Sequence, residues 1–158
     1  MFAYSFKGYW KDVGTVASLW EANMDLLGEN PVLGLSDSNH KIYSRNAPLP
    51  PTFIGEKAEV DNCVMTTGCE IYGKVKNSVI GEGVVIGEGS VVQDSVIMTN
   101  SVIGKNVNMR YGMVDENVIV GDGSEIGDEK SSRERIALIG RGKELAAGAK
   151  VASGEIVD

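Results

Sequence analysis

Histidine occurs once in this chain and cysteine twice, so the side chains that most often carry acid–base, nucleophilic or metal chemistry are scarce. Two cysteines and one histidine do not supply the four ligands of an ordinary structural zinc site. Cys63 and Cys69 lie six apart, and in a chain with no sign of secretion they are expected to be reduced packing residues rather than a disulfide. No apolar run approaches the roughly 20 residues that span a bilayer. The opening Met1-Phe2-Ala3-Tyr4-Ser5-Phe6-Lys7 has no signal-peptide core, so a cytoplasmic protein is expected. Positive charge is also in deficit. The 15 Lys and Arg against 22 Asp and Glu leave a net charge of −7, which argues against nucleic acid or an anionic membrane as partner. At 158 residues the chain has room for one or two small domains.

Glycine is abundant, with 20 residues, and much of it follows an aliphatic side chain. The pair occurs at Ile54-Gly55, Ile80-Gly81, Ile86-Gly87, Ile103-Gly104, Val120-Gly121, Ile126-Gly127 and Ile139-Gly140. The spacing is often six, as in Ile80, Ile86, Val92, in Val114, Val120, Ile126, and in Ile139, Leu145, Val151. A period of six lines one face of neither a helix nor a lone strand, but it fits a parallel β-helix of hexapeptide repeats. In that reading the aliphatic residue points inward, as does a small residue such as Ser90, Val118 or Ala149. Three faces, about 18 residues, close one coil, and coils stack at roughly 4.8 Å, the strand-pairing distance. The register is imperfect, since Ile103 follows Met98 by five and Val114 follows Met109 by five.

Three zones are expected. Residues 1–27 hold one helix, with Thr15 as N-cap, Val16, Leu19, Trp20, Met24 and Leu27 on one apolar face, and Gly28 as its stop. Residues 28–53 form an irregular linker broken by Pro31, Pro48, Pro50 and Pro51, with a short strand at Lys41-Ile42-Tyr43. Residues 54–158 form the β-helix. The charged stretch 128–135 is expected to loop out of it, as a solvated insertion or as a ligand or subunit contact.

The repeat contains no histidine, and this counts against the two enzyme classes best known on such a scaffold. Hexapeptide acyltransferases use a histidine base between coils, and carbonic anhydrases of this fold bind metal through three histidines. His40 precedes the repeat and reads as a loop residue. Asp12, between Trp10 and Gly14 just ahead of the helix, has two readings: a carboxylate favoured by the helix dipole, or a magnesium ligand. Trp10 is correspondingly a core residue or a wall on which a sugar stacks.

Gly8-Tyr9-Trp10-Lys11-Asp12-Val13-Gly14-Thr15, followed by Leu19-Trp20-Glu21-Ala22-Asn23-Met24-Asp25-Leu26-Leu27, resembles bacterial glucose-1-phosphate adenylyltransferase (ADP-glucose pyrophosphorylase) of the catalytic-subunit type. Ile42-Tyr43-Ser44-Arg45-Asn46, Leu49-Pro50-Pro51, Gly68-Cys69-Glu70-Ile71-Tyr72-Gly73 and Asn77-Ser78-Val79 continue the match. The resemblance covers nearly the whole chain but only the C-terminal part of the family's sequence. It implies a left-handed parallel β-helix of hexapeptide repeats, preceded by one α-helix and an irregular linker. It implies an enzyme that joins ATP and glucose 1-phosphate into ADP-glucose and pyrophosphate for glycogen synthesis, with a β-helix that contributes to oligomerisation and allosteric control. By the same resemblance Asp12 is a catalytic ligand of Mg2+, Trp10 lines the sugar-phosphate pocket, and Arg141, in Ile136-Ala137-Leu138-Ile139-Gly140-Arg141, binds a sugar-phosphate or AMP effector. Glu116 stands where some regulated members have a basic residue, and would repel phosphate. The whole enzyme is expected to be a homo-oligomer, a tetramer, that takes its substrates through a nucleotidyltransferase domain.

The family's glycine-rich nucleotide loop, its partner aspartate and the lysine and glutamate of its sugar-phosphate pocket are missing here. Residues 1–27 would then be the remnant of that domain, and the chain alone is expected to be inactive. The alternatives are a non-catalytic oligomerisation module that binds other subunits and, with less support, a hexapeptide acyltransferase. Open solenoid ends, together with exposed Trp10, Trp20 and helix face, lead to an expectation of self-association.

Overall fold

A computed structural model describes residues 2–35, 48–128 and 135–158. His40, the strand expected at 41–43 and most of the charged stretch 128–135 lie outside the described residues. The helix runs Val16–Met24. Thr15 caps it as expected: its side chain accepts from the Ser18 backbone N–H, and the Ser18 hydroxyl answers to the Thr15 N–H, a reciprocal box that satisfies two orphan donors. Regular helix stops at Met24, and the chain turns away at Gly28 with φ +95°, a conformation that suits glycine. Among the described residues no helix is long and apolar enough to cross a membrane.

The remainder is a parallel β-solenoid of three six-stranded sheets, each strand two or three residues long. The first sheet stacks Phe53–Ile54, Glu70–Ile71, Val85–Ile86, Val102–Ile103, Ile119–Val120 and Glu144–Leu145. The second runs from Glu59–Asp61 to Lys150–Val151, and the third from Val64–Met65 to Ile156–Val157. Inward aliphatics form ladders along the axis: Ile71, Ile86, Ile103 and Val120 on one face, Val75, Val92, Met109 and Ile126 on the next, Ile80, Ile97, Val114 and Ile139 on the third. All twelve are buried and belong to one core cluster.

The aliphatic–glycine pair has a steric cause. A Cβ on Gly87 would lie 2.5 Å from the carbonyl oxygen of Gly104 in the next coil, and one on Gly121 would lie 2.5 Å from the Ala147 nitrogen. At that corner one backbone passes over another too closely for any side chain. A different device turns the chain between the second and third sheets. There Asn62, Asn77, Asp94 and Tyr111 hold φ between 48° and 49°, and the inward residues on either side are five apart rather than six, as from Val92 to Ile97.

That short corner corrects the expected period. Ile86 pairs with Ile103 and Ile103 with Val120, seventeen residues on each time rather than eighteen. Met109 to Val114 is a five-residue side, as expected, but so are Val60 to Met65, Val75 to Ile80 and Val92 to Ile97. Ile97 takes the inward place assigned to Met98, and Met98 faces outward beside the helix. The coil from Val120 to Leu145 takes twenty-five residues because the 128–135 segment falls within it.

Buried serines link coil to coil. Ser78 and Ser95 donate to the Lys76 and Gln93 carbonyls at 2.7 Å. Each also accepts from the coil above, Ser78 from the Ser95 N–H at 3.1 Å and Ser95 from the Gly112 N–H at 3.2 Å. Cys63 heads the same column and donates its thiol to the Asp61 carbonyl at 3.1 Å. Both cysteines are free, as expected for packing residues, and burial raises the Cys63 pKa above its usual value.

Trp20 and the helix face are not exposed, contrary to expectation. Trp20 is 3% exposed and packs with Val96, Tyr111 and Met113 on the outer face of the third sheet, flanked by Val16, Leu19 and Met24. The third sheet is therefore apolar on both sides, which a strand sandwiched between two layers requires. The open end of the solenoid does appear as expected, with Ile54 51% exposed in the first coil.

Ile103→Ala empties the centre of a ladder and is expected to cost about 2–5 kcal/mol in urea unfolding. Ser95→Ala leaves the Gly112 N–H without its partner and is expected to cost about 1–3 kcal/mol. A midpoint unchanged by Ser95→Ala would rule out its role as a bridge between coils.

Candidate functional site

In the segment ahead of the helix burial alternates from residue to residue, partly buried at Tyr9 and Lys11 and exposed at Trp10 and Asp12. Tyr9 and Lys11 turn toward the helix. The Tyr9 hydroxyl donates to Asp25 Oδ2 at 2.9 Å, and the Lys11 ammonium reaches the same oxygen at 2.7 Å and Glu21 Oε2 at 3.5 Å. Trp10 and Asp12, the residues in between, are left facing outward, and Trp10 is 77% exposed. Asp12 Oδ1 accepts the Gly14 N–H at 3.1 Å, which ties the carboxylate to the turn leading into the Thr15 cap. The hydrogen bond to Lys11 holds the Asp25 carboxyl below its usual range, against the opposing pull of burial. The same bond raises the Lys11 pKa, and partial desolvation followed by the Asp25 contact raises that of Tyr9. The sequence reading missed this anchor, although its signal was present in a Tyr-x-Lys alternation and a carboxylate at the helix end.

Between the helix start and the third sheet lies a groove of about 440 Å³. Val13 and Leu19 form one wall, Met98, Met113 and Leu138 the other, and Asp115 brings a carboxylate to the sheet side. Arg141 stands behind Asp115. Its Nη2 is 3.0 Å from Glu116 Oε2 and its Nε 4.0 Å from Asp115 Oδ1, with the guanidinium side chain 65% exposed. Val13–Thr15, which follow Asp12, and Asp115, which lies beside Arg141, line this groove, whereas Trp10, Asp12 and Arg141 are not among its lining residues. Glu116 does not merely sit near Arg141 as a repulsive charge. It pairs with the guanidinium, so an incoming anion meets an arginine already engaged.

Asp12 alone does not make a magnesium site. A hard cation needs about six oxygen ligands, and among the described residues no group of three His, Cys, Asp or Glu converges to hold a metal. Any such ion at Asp12 requires ligands from outside the described residues.

A family model described as "GlmU-like, C-terminal hexapeptide" matches residues 49–142. Proteins named glucose-1-phosphate adenylyltransferase from Bacillus mycoides (strain KBAB4) and Bacillus cereus (strain ATCC 10987 / NRS 248) are each 49% identical over 143 residues. One of the same name from Bacillus anthracis is 48% identical over the same length. The match takes in 90% of this chain, and the chain spans only 38% of the length of these curated relatives.

The Asp25 anchor predicts a pH dependence. Its folded pKa lies below the unfolded value, so the contribution is present at neutral pH and lost as pH falls beneath the usual aspartate range and through the folded value. The Tyr9 ring and Lys11 side-chain resonances are expected to move toward their random-coil shifts in that range and, in Asp25→Asn, already at neutral pH. Identical side-chain shifts in Asp25→Asn and the unsubstituted chain would remove the anchor.

Proposed function

Given that this chain belongs to the GlmU-like C-terminal hexapeptide family, we propose that it is the solenoid part of a glucose-1-phosphate adenylyltransferase. The observation that carries the reading is the 49% identity over 143 residues, which is 90% of the chain. In this reading the chain corresponds to the C-terminal part of its relatives. The complete enzyme has an oxygen of glucose 1-phosphate attack the α-phosphorus of ATP, forming ADP-glucose and releasing pyrophosphate, as a step toward glycogen.

The geometry supports distinct roles for the residues that face out of the loop. Trp10 offers a flat apolar surface to a sugar ring, and Asp12 offers a carboxylate fixed by the Gly14 N–H. When bound, Mg2+ supplies charge neutralisation to the phosphates. Since Asp12 is one ligand of several, magnesium binding and turnover belong to the assembled enzyme, and the chain alone does not form ADP-glucose. Arg141 is the anion-binding candidate on the solenoid side, with a sugar phosphate or AMP as its effector. The open coil ends suit contacts with further subunits in a homo-oligomer, in the cytoplasm. The reading as a subunit-binding module without catalysis differs only in whether Asp12 meets a nucleotidyltransferase domain.

Mixing the chain with a separately made nucleotidyltransferase domain of a Bacillus relative is the direct test. Pyrophosphate release with magnesium is expected from the mixture, is expected to fall at least about a hundredfold with Asp12→Asn, and is not expected from the chain alone. Release by the chain alone would overturn the reading. Glu116→Gln removes the charge paired with Arg141, and phosphate affinity is expected to rise about threefold to tenfold. Equal affinity in the two would exclude Arg141 as the effector contact.

A further inference from the structure

We infer that Trp20 and Tyr111 form a clamp through which the solenoid fixes the position of the Asp12 loop. The role of the loop rests on the function proposed above, but the clamp itself does not. The helix has two working faces. One carries Asp25 and Glu21, which hold Tyr9 and Lys11 and so leave Trp10 and Asp12 presented outward. The other carries Trp20, the buried residue of the helix, seated on the solenoid. From Asp12 to Met24 a hydrogen-bonded turn, a cap and a helix follow one another directly. The Asp12 carboxylate takes the Gly14 N–H, Thr15 and Ser18 close the capping box, and the helix follows. A unit of that kind moves as one body, so whatever positions Trp20 also positions Asp12.

Two contacts fix Trp20. Its indole N–H donates to the Asp94 carbonyl at 2.9 Å. Its ring meets Tyr111 edge to face, with centroids 4.9 Å apart and planes at 82°, the geometry favoured by aromatic quadrupoles. Both contacts fall on the short corner of neighbouring coils. Tyr111 is the unexpected residue there. In the coils before it, the same corner is filled by Asn62, Asn77 and Asp94, types that tolerate positive φ. A bulky tyrosine held at φ +49° is an outlier, and such strain persists only where the surroundings require it. What it supplies is the ring against which Trp20 rests. Trp20 and Tyr111 are thus positioning residues. They touch neither substrate nor metal, and they act by holding the helix that carries the loop.

Tyr111→Asn tests this directly, because it restores the residue type of the corner's neighbours and removes only the ring. In the full chain, amide exchange at Gly14 and Ser18 is expected to accelerate about tenfold or more, with the coil amides of Ile103 and Val120 unchanged. In a Trp10→Phe background, where Trp20 is the sole tryptophan, its emission is expected to shift to the red with Tyr111→Asn. Tyr111→Phe keeps the ring and is expected to match the unsubstituted chain in both readouts. Unchanged protection at Gly14 in Tyr111→Asn, or a loss spread equally over the coil amides, would overturn the clamp. These readouts need no turnover, so a failed pyrophosphate assay would count against the function and leave the clamp decided by exchange alone.

Discussion

Everything in this molecule depends on one spacing, the distance between stacked coils. Parallel strands pair at roughly 4.8 Å, and the backbone at each corner must keep to that distance while changing direction. Where a coil crosses directly over its neighbour, no Cβ fits, and glycine follows the inward aliphatic residue. Where it turns within a single residue, the backbone enters the left-handed region. Inside, the same spacing brings each aliphatic side chain against its equivalent above and below, so ladders of Ile and Val become the core. The buried serines belong to the same constraint, since a hydroxyl can both donate within its own coil and accept from the next.

The loop and the groove are consequences of how the helix meets that stack. Its apolar face covers the outer side of the third sheet, and its polar face holds the extended segment in front of it. A scaffold with short strands and tight corners has little room for chemistry of its own. The features that resemble chemistry, Trp10 and Asp12, stand on an appendage, and the solenoid contributes their placement and the acidic surroundings of Arg141.

The solenoid was legible because Ile-Gly pairs and six-residue steps are direct records of the corner geometry. The seventeen-residue coil was harder to read, because Met98 and Ile97 are equally apolar neighbours and only the left-handed Asp94 decides which points inward. The docking of Trp20 was not read at all. Val79-Ile80, Val96-Ile97 and Leu138-Ile139 do carry an apolar residue on each side, but so do Val85-Ile86, Val102-Ile103 and Ile119-Val120, where Ile119 remains 45% exposed. Pattern alone does not say which of two doubly apolar sheets a helix will cover. Asp12 and Trp10 are singled out only by their motif, whereas the pairing of Arg141 with Glu116 joins residues from different coils and leaves no local mark.

The helix has a consequence for how the protein comes apart. In a bare solenoid each coil couples only to its neighbours, and unfolding can advance from an end one coil at a time. Here a single helix rests on residues from four successive coils, Val79, Val96, Met113 and Leu138. Fraying from either end meets a brace that must detach before the middle coils can separate. The short strands between Val79 and Leu138 therefore melt as one cooperative block, while the first and last coils remain free to open and close independently of it.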